Sequence, residues 1–84
     1  MTRPRRLELV SRQDCELCSE LLALLEPYVR GGTVVLDRVE PEDRPALLEH
    51  YQWRIPVLLE DGRELMWGRI DAAEVTAALG EPPA

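Results

Sequence analysis

The chain has 84 residues, 45% of them hydrophobic, which predicts one globular domain with a modest core and no second domain. Its net charge of −6 disfavours general binding to nucleic acids or anionic membranes. The sequence has no uninterrupted apolar stretch of the kind that predicts a signal peptide or a membrane span. We therefore expect a cytoplasmic protein. In that compartment a close cysteine pair is more often catalytic or metal-binding than structural.

The first predicted elements are a short strand at residues 7–10 and a helix at about 15–29. Apolar side chains recur along this helix at the three- and four-residue spacing of a buried face: Leu17, Leu21, Leu24, Leu25 and Tyr28. Residues 1–6, which are basic, and residues 81–84 are expected to be flexible tails of the single domain 1–84.

Both cysteines of the chain, Cys15 and Cys18, lie at the predicted start of this helix. If Cys15 is the N-cap, Cys18 is the third helical residue, and the two side chains can meet across one turn. The free N–H groups of the first turn and the helix dipole would stabilise a thiolate at Cys15, since dithiols of this spacing reach thiol pKa values of roughly 3.5 to 7. Among nearby charged side chains Arg12 favours the thiolate and three acidic residues oppose it: Asp14, Glu16 and Glu20.

The next part of the chain predicts a parallel strand and a second helix. Gly31 and Gly32 supply a left-handed end to the first helix, and residues 33–36 form a β-branched strand reached by a right-handed crossover. A charged loop then leads to a helix at residues 44–51, for which Asp43 is the expected N-cap.

The last third predicts a hairpin and a final helix. Residues 57–59 are continuously apolar, as in an interior strand, and the Asp61-Gly62 pair predicts a tight turn into an antiparallel strand at residues 64–67. Asp71, with an acidic residue three positions later, predicts a capped last helix that Gly80 ends.

The order βαβαββα predicts an α/β domain in which one four-stranded mixed sheet is flanked by three helices. Three features of this order are distinctive: the Cys15-x-x-Cys18 pair after the first strand, the Ile55-Pro56 pair that opens the third, and the Gly68-x-x-Asp71 entry to the final helix. In these features the chain resembles the thioredoxin fold and, within it, the glutaredoxins and the small bacterial glutaredoxin-like proteins of largely unassigned role.

The resemblance implies thiol–disulfide exchange, in which Cys15 attacks a disulfide and Cys18 resolves the mixed disulfide. Four further residues are expected to bind substrate: Arg12 to attract an anionic thiol, Ile55 to offer backbone groups, Pro56 to lie against the Cys15 sulfur, and Asp71 to hold the charged end of glutathione. We expect the Ile55–Pro56 bond to be cis, because its position requires outward-facing backbone groups before the strand. The expected partners are glutathione or protein disulfides and a reductase or thiol donor, for a monomer without a tightly bound cofactor.

The chain departs from the glutaredoxin pattern near the site. Glu16-Leu17 replaces Pro-Tyr between the cysteines, Arg54 replaces a threonine, and the Gly-Gly before the last helix is reduced to Trp67-Gly68. The resemblance therefore implies the dithiol chemistry more securely than it implies glutathione recognition.

Two other functions are weighed against exchange. A zinc site needs about four ligands, and the chain has two cysteines and one histidine, His50, so no metal site is predicted. The alternative that stays open is a non-catalytic thioredoxin-fold module that binds a protein partner or shuttles a metal or an iron–sulfur cluster. Trp53, beside the Ile55-Pro56 pair, is a candidate for an exposed partner contact.

Overall fold

The computed structural model describes residues 3–83. In this part of the chain, the strands and helices are β1 (Arg5–Val10), α1 (Glu16–Arg30), β2 (Val34–Val39), a 3-10 helix (Pro41–Asp43), α2 (Pro45–Tyr51), β3 (Val57–Glu60), β4 (Arg63–Trp67) and α3 (Ala72–Leu79). The sheet has the order β2-β1-β3-β4, with β1 parallel to β2 and both other pairs antiparallel. The predicted mixed sheet with three α-helices is confirmed.

The core consists of two hydrophobic clusters, and alternating strand residues separate them. Leu58 belongs to the larger cluster, which also receives α1 and α3, whereas its neighbours Val57 and Leu59 belong to the smaller one, against which α2 packs. Successive strand side chains point to opposite faces of a sheet, so α1 and α3 cover one face and α2 covers the other. Residues 57–59 of β3 are therefore buried on both sides, and β1 is buried on both sides only near its carboxyl end, at Leu9 and Val10.

Helix α1 is closed at its carboxyl end by backbone hydrogen bonds. The Thr33 N–H donates to the Tyr28 carbonyl at 3.1 Å and the Gly32 N–H donates to the Val29 carbonyl at 3.1 Å, while Gly32 takes a φ of 80° that favours glycine. The Tyr28 hydroxyl donates to the Gly80 carbonyl at 2.6 Å, which joins the ends of α1 and α3. These contacts fix α1, and with it the cysteine pair, on the sheet.

The hairpin between β3 and β4 turns at the predicted pair. Asp61 and Gly62 have φ values of 51° and 79°, the two left-handed residues that match the twist of the flanking strands. A register shift between Leu58 and Leu59 then pairs Val57 with Trp67, which brings the last residue of β4 beside the start of β3.

β1 begins at Arg5, two residues earlier than predicted, and the flexibility of residues 1–6 and 81–84 stays a prediction. Arg5 and Arg6 belong to β1, because the sheet pairs them with β2 and the Arg5 side chain binds Glu60. At the other end, Pro83 packs so closely on Gly31 that a Cβ at Gly31 would overlap the proline ring. Residues 1, 2 and 84 lie outside the described residues.

The predicted N-cap of α2 is also corrected. Asp43 ends the 3-10 helix, and the N-cap is Arg44, whose side chain makes no capping bond. Pro45 explains the shift, since proline disfavours a helical conformation in the preceding residue, and Arg44 accordingly has φ −136° and ψ 114°.

Candidate functional site

The cysteine pair closes over the first turn of α1. Cys15 is the N-cap, with extended φ and ψ of −113° and 109°, and its Sγ accepts a hydrogen bond from the Cys18 N–H at 3.2 Å. The two sulfurs form a disulfide across a Cα–Cα distance of 5.2 Å. The local geometry is therefore the predicted one: a sulfur atom occupies the place of a capping oxygen at the positive end of the helix.

The fold exposes the two sulfurs unequally. Cys15 is half-buried, whereas Cys18 is 3% exposed and points into the first turn of α1. Asp14 has a φ of 58°, a left-handed conformation that aspartate tolerates, and it turns the chain from β1 into the helix. Of the two thiols of the reduced pair, the one that a substrate can reach is Cys15.

Arg12 lies in the loop between β1 and α1, but its guanidinium already has two protein partners. Its Nε donates to the Glu42 carboxylate at 2.6 Å, and its Nη1 donates to the Gln52 carbonyl at 3.0 Å. The Glu42 backbone N–H, and after it the Arg12 guanidinium, hold the pKa of the Glu42 carboxyl below its ordinary value. Arg12 therefore joins the cysteine loop to the 3-10 helix and to the segment that precedes Ile55.

Ile55 and Pro56 lie at the edge of the sheet where β1 ends. Val57, the first residue of β3, pairs with Val10, the last residue of β1 before the cysteine loop. The Ile55–Pro56 peptide bond is cis, and the Pro56 carbonyl accepts a hydrogen bond from the Gly68 N–H at 2.8 Å. Within residues 3–83, no hydrogen bond involves the backbone N–H or carbonyl of Ile55. Both groups are available to an added segment of chain.

Asp71 borders a separate groove, which lies between α1 and α3. It is the N-cap of α3, and its Oδ1 accepts a hydrogen bond from the Glu74 N–H at 2.9 Å. The groove has a volume of about 610 Å³ and an apolar floor that includes Leu24 and Ile70. Glu20, one turn along α1 from Glu16, is on its rim. Cys15, Arg12 and the Ile55-Pro56 pair thus belong to one sheet edge, and Asp71 borders a groove on the adjoining face.

Sequence reasoning missed the role of Arg54. Its guanidinium lies 4.5 Å from the centre of the Trp67 ring and forms an ion pair with Glu64 at 3.0 Å. Trp53, its neighbour in the chain, is 88% exposed, the outcome that its place beside the Ile55-Pro56 pair suggested. The hairpin turn indicated only that residues just before β3 lie near the end of β4; the pairing of Val57 with Trp67 depends on a register shift between Leu58 and Leu59.

Two properties of residues 3–83 bear on other functions. None of the helices there has the length and apolar character needed to cross a membrane. In the same residues, no three histidine, cysteine, aspartate or glutamate side chains come together as potential metal ligands.

Known proteins resemble this chain in sequence and in fold. Residues 6–80 match the family described as Glutaredoxin-like domain (DUF836). The X-ray structure of the protein XcR50 from X. campestris is similar at 33% identity, over 84% of this chain and 91% of that chain, with a TM-score of 0.68. The solution structure of the protein Ne2328 from Nitrosomonas europaea is similar at 27% identity, over 94% of this chain and 95% of that chain, with a TM-score of 0.77. No curated protein matches.

The family match spans the elements that build the site, from the second residue of β1 to the glycine after α3. The similar structures extend over most of both chains and share the arrangement of sheet and helices. With its Cys-x-x-Cys disulfide at the head of α1, the chain belongs to the glutaredoxin-like domain family.

Proposed function

We propose that the protein is a thiol–disulfide oxidoreductase that works through Cys15 and Cys18. The observation that carries the proposal is the disulfide at the start of α1, in which Cys15 is both the accessible sulfur and the one that accepts the Cys18 N–H. Hydrogen bonding and the helix dipole favour the thiolate, which is the nucleophile in exchange.

The substrate disulfide is reduced in two steps. The Cys15 thiolate attacks one sulfur of a substrate disulfide, so that a bond forms between them while the substrate S–S bond breaks and its other sulfur leaves as a thiolate that takes a proton from water. The Cys18 thiol gives its proton to water and attacks the Cys15 sulfur, so that the Cys15–Cys18 bond forms while the mixed-disulfide bond breaks. The second substrate sulfur leaves as a thiolate that takes a proton from water. Two electrons pass to the substrate, and the pair becomes the disulfide that the structure contains.

An external thiol completes the cycle. A monothiol such as glutathione, or a dithiol supplied by a reductase, attacks the Cys15–Cys18 disulfide and regenerates both thiols at the cost of its own oxidation. Cys15 is the point of attack, because Cys18 is 3% exposed. The proposed location, a reducing compartment such as the cytoplasm, would keep the pair in its dithiol form between turnovers.

The test is turnover of a small neutral disulfide, that of 2-mercaptoethanol, with dithiothreitol or glutathione as donor. The wild-type protein should accelerate the reduction over the donor alone, and Cys15→Ser should abolish the acceleration. In the absence of any donor, reduced Cys18→Ser should release one equivalent of 2-mercaptoethanol and keep the second one attached to Cys15. Rates no higher than those of the donor alone, with either donor, would contradict exchange and favour the partner-binding or cluster-shuttling module instead.

A further inference from the structure

We infer that the disulfides reduced at Cys15 are those of extended, basic protein segments, docked by the Ile55 backbone and the Trp53 indole, rather than those of glutathione. This substrate class rests on the proposed exchange function. Three features on the sheet edge around Cys15 carry it: an exposed aromatic side chain, unused backbone groups and an excess of carboxylates.

Trp53 is an exposed indole on an anchored segment. Its side chain is 88% exposed, although the residue before it is held by Arg12 through the Gln52 carbonyl, and the residue after it, Arg54, is held by Glu64 and the Trp67 ring. Because the backbone on both sides is fixed, the indole is presented to solvent without being packed in the core. A tryptophan face is the strongest aromatic partner for a cation, and the guanidinium of the adjacent residue Arg54 lies over the Trp67 ring instead.

The Ile55 backbone determines the direction in which the substrate peptide docks. Its N–H and carbonyl make no hydrogen bond within residues 3–83, and Ile55 immediately precedes the segment that pairs β3 with β1. An extended peptide that pairs with Ile55 hydrogen-bonds its carbonyl to the Ile55 N–H and its N–H to the Ile55 carbonyl, as an added strand does at a sheet edge. Trp53, two residues earlier in the chain, then borders the same peptide.

The charge around Cys15 selects for a basic segment. Asp14 and Glu16, which flank Cys15, are both exposed, and Glu20 follows one turn later on α1. The Arg12 guanidinium is paired with Glu42. Two other arginines border the grooves on either side, but carboxylates outnumber them there: Arg38 lies with Glu40 and Asp43, and Arg69 lies with Glu20, Asp71 and Glu74. Such a field attracts a cationic peptide and repels the anionic glutathione.

The experiment compares three thiopyridyl disulfides with the reduced protein, each of which releases a coloured thione when Cys15 attacks. They carry a short peptide with arginines around a central cysteine, the matched peptide with glutamates, and glutathione. Each rate is divided by the rate of the same compound with 2-mercaptoethanol, which removes intrinsic differences in reactivity. At low salt the basic peptide should react about tenfold faster than both others, and the ratio should approach one at about 0.5 M salt. Equal or reversed rates at low salt would overturn the inference.

Matched variants test each feature. Glu16→Lys should reduce the preference for the basic peptide, whereas Glu26→Lys, on the same helix but about 15 Å further along its axis, should leave the preference unchanged. Trp53→Ala should slow the basic peptide about threefold relative to the uncharged thiopyridyl disulfide of 2-mercaptoethanol, and Val35→Ala, an exposed apolar side chain on the far edge strand, should not. A Trp53→Ala variant with an unchanged ratio would remove the indole from the docking surface and contradict the proposal.

The failure of exchange and the failure of this substrate class are distinguishable. If the uncharged thiopyridyl disulfide does not react at Cys15, exchange is wrong, and docking is then decided by calorimetry with basic and acidic peptides whose cysteine is replaced by serine. Binding of the basic peptide that Trp53→Ala weakens supports the docking surface, and equal or absent binding of both peptides overturns it.

Discussion

The fold makes the two cysteines of one motif unequal. Cys15 is half-buried at the N-cap, and Cys18 is 3% exposed on the first turn, with its N–H directed at the partner sulfur. Because the hydrogen bond and the exposure both favour Cys15, nucleophilicity and access coincide on one atom. Local spacing was sufficient to predict this arrangement, since an N-cap and the third helical residue are adjacent in any helix.

Alkylation of the reduced protein tests this inequality. At pH 7, iodoacetamide should modify Cys15 about ten times faster than Cys18, because only Cys15 combines access with a stabilised thiolate. Peptide mass spectrometry at timed quenches gives both rates, and the same measurement in denaturant is the control in which the rates should converge. Equal rates in the folded protein, or faster reaction at Cys18, would refute the assignment of the nucleophile.

At the level of elements, Arg12 connects three segments that are distant in sequence. Its partners Glu42 and Gln52 are 30 and 40 residues away, so no local pattern could have predicted them. The sequence indicated Arg12 as a cation for an anionic thiol; the structure shows its contacts with Glu42 and Gln52, and the attraction of a thiol stays a prediction. The Asp43 cap failed for a related reason: the conformation of Arg44 is set by the proline that follows it.

Removal of the Arg12 side chain should loosen the segment before Ile55. The Arg54 N–H, which donates to the Tyr51 carbonyl at 2.9 Å, is a reporter for this segment. In Arg12→Ala its hydrogen exchange should be about tenfold faster, the effect of losing a hydrogen bond worth about 1.4 kcal/mol, and in Glu42→Gln, which keeps the Gln52 contact, the change should be smaller. Unchanged exchange in Arg12→Ala would show that the contact does not order the segment.

The contribution of the Asp71 N-cap to stability can be measured separately from a role of Asp71 in substrate binding. Asp71→Ala should lower the free energy of unfolding by about 1 kcal/mol, because the Glu74 N–H loses its acceptor, whereas Asp71→Asn retains an oxygen and most of the stability. Urea unfolding measures both variants. Since Asp71→Asn removes the charge but keeps the cap, a slower exchange reaction in that variant at unchanged stability would assign Asp71 to substrate binding. Equal unfolding energies for all three proteins would contradict its role as a cap.

Across the whole molecule, the end of the sheet opposite the cysteines is closed by Arg5. Its guanidinium binds both oxygens of Glu60 at 2.7 and 2.8 Å and donates to the Ala78 carbonyl at 2.9 Å, which ties β1, β3 and α3 together. The order of elements and the core were predictable because periodicity, turns and caps are local signals. This cross-link was not, since Glu60 is 55 residues from Arg5 and the sequence showed only a basic terminus.

The Arg5–Glu60 pair should give the fold a pH dependence. The hydrogen bonds from Arg5 lower the pKa of Glu60 below its ordinary value of 4.5. A carboxyl with a lowered pKa stabilises the fold above the pH at which it titrates in the unfolded chain, and this contribution is lost as the pH falls through the folded pKa. Glu60→Gln should therefore lose about 1 kcal/mol at pH 7, a modest value for a partly exposed pair, and the loss should shrink below about pH 4.

Chemical unfolding across this pH range measures the difference between Glu60→Gln and wild type. Glu26→Gln is the control, because its pairing with Arg30 is exposed and spans 4.0 Å, so its small effect should vary little with pH. A difference for Glu60→Gln that is constant from pH 7 to pH 3 would exclude the ion pair as its source.

The most direct measurement of the central claim is the intact mass of the Cys18→Ser protein after incubation with a peptide disulfide. Without Cys18 the second step cannot occur, so the account predicts one peptide attached by a disulfide to Cys15, released by dithiothreitol, and no adduct in Cys15→Ser under the same conditions. No adduct on Cys18→Ser, or an equal adduct in Cys15→Ser, would contradict exchange through Cys15.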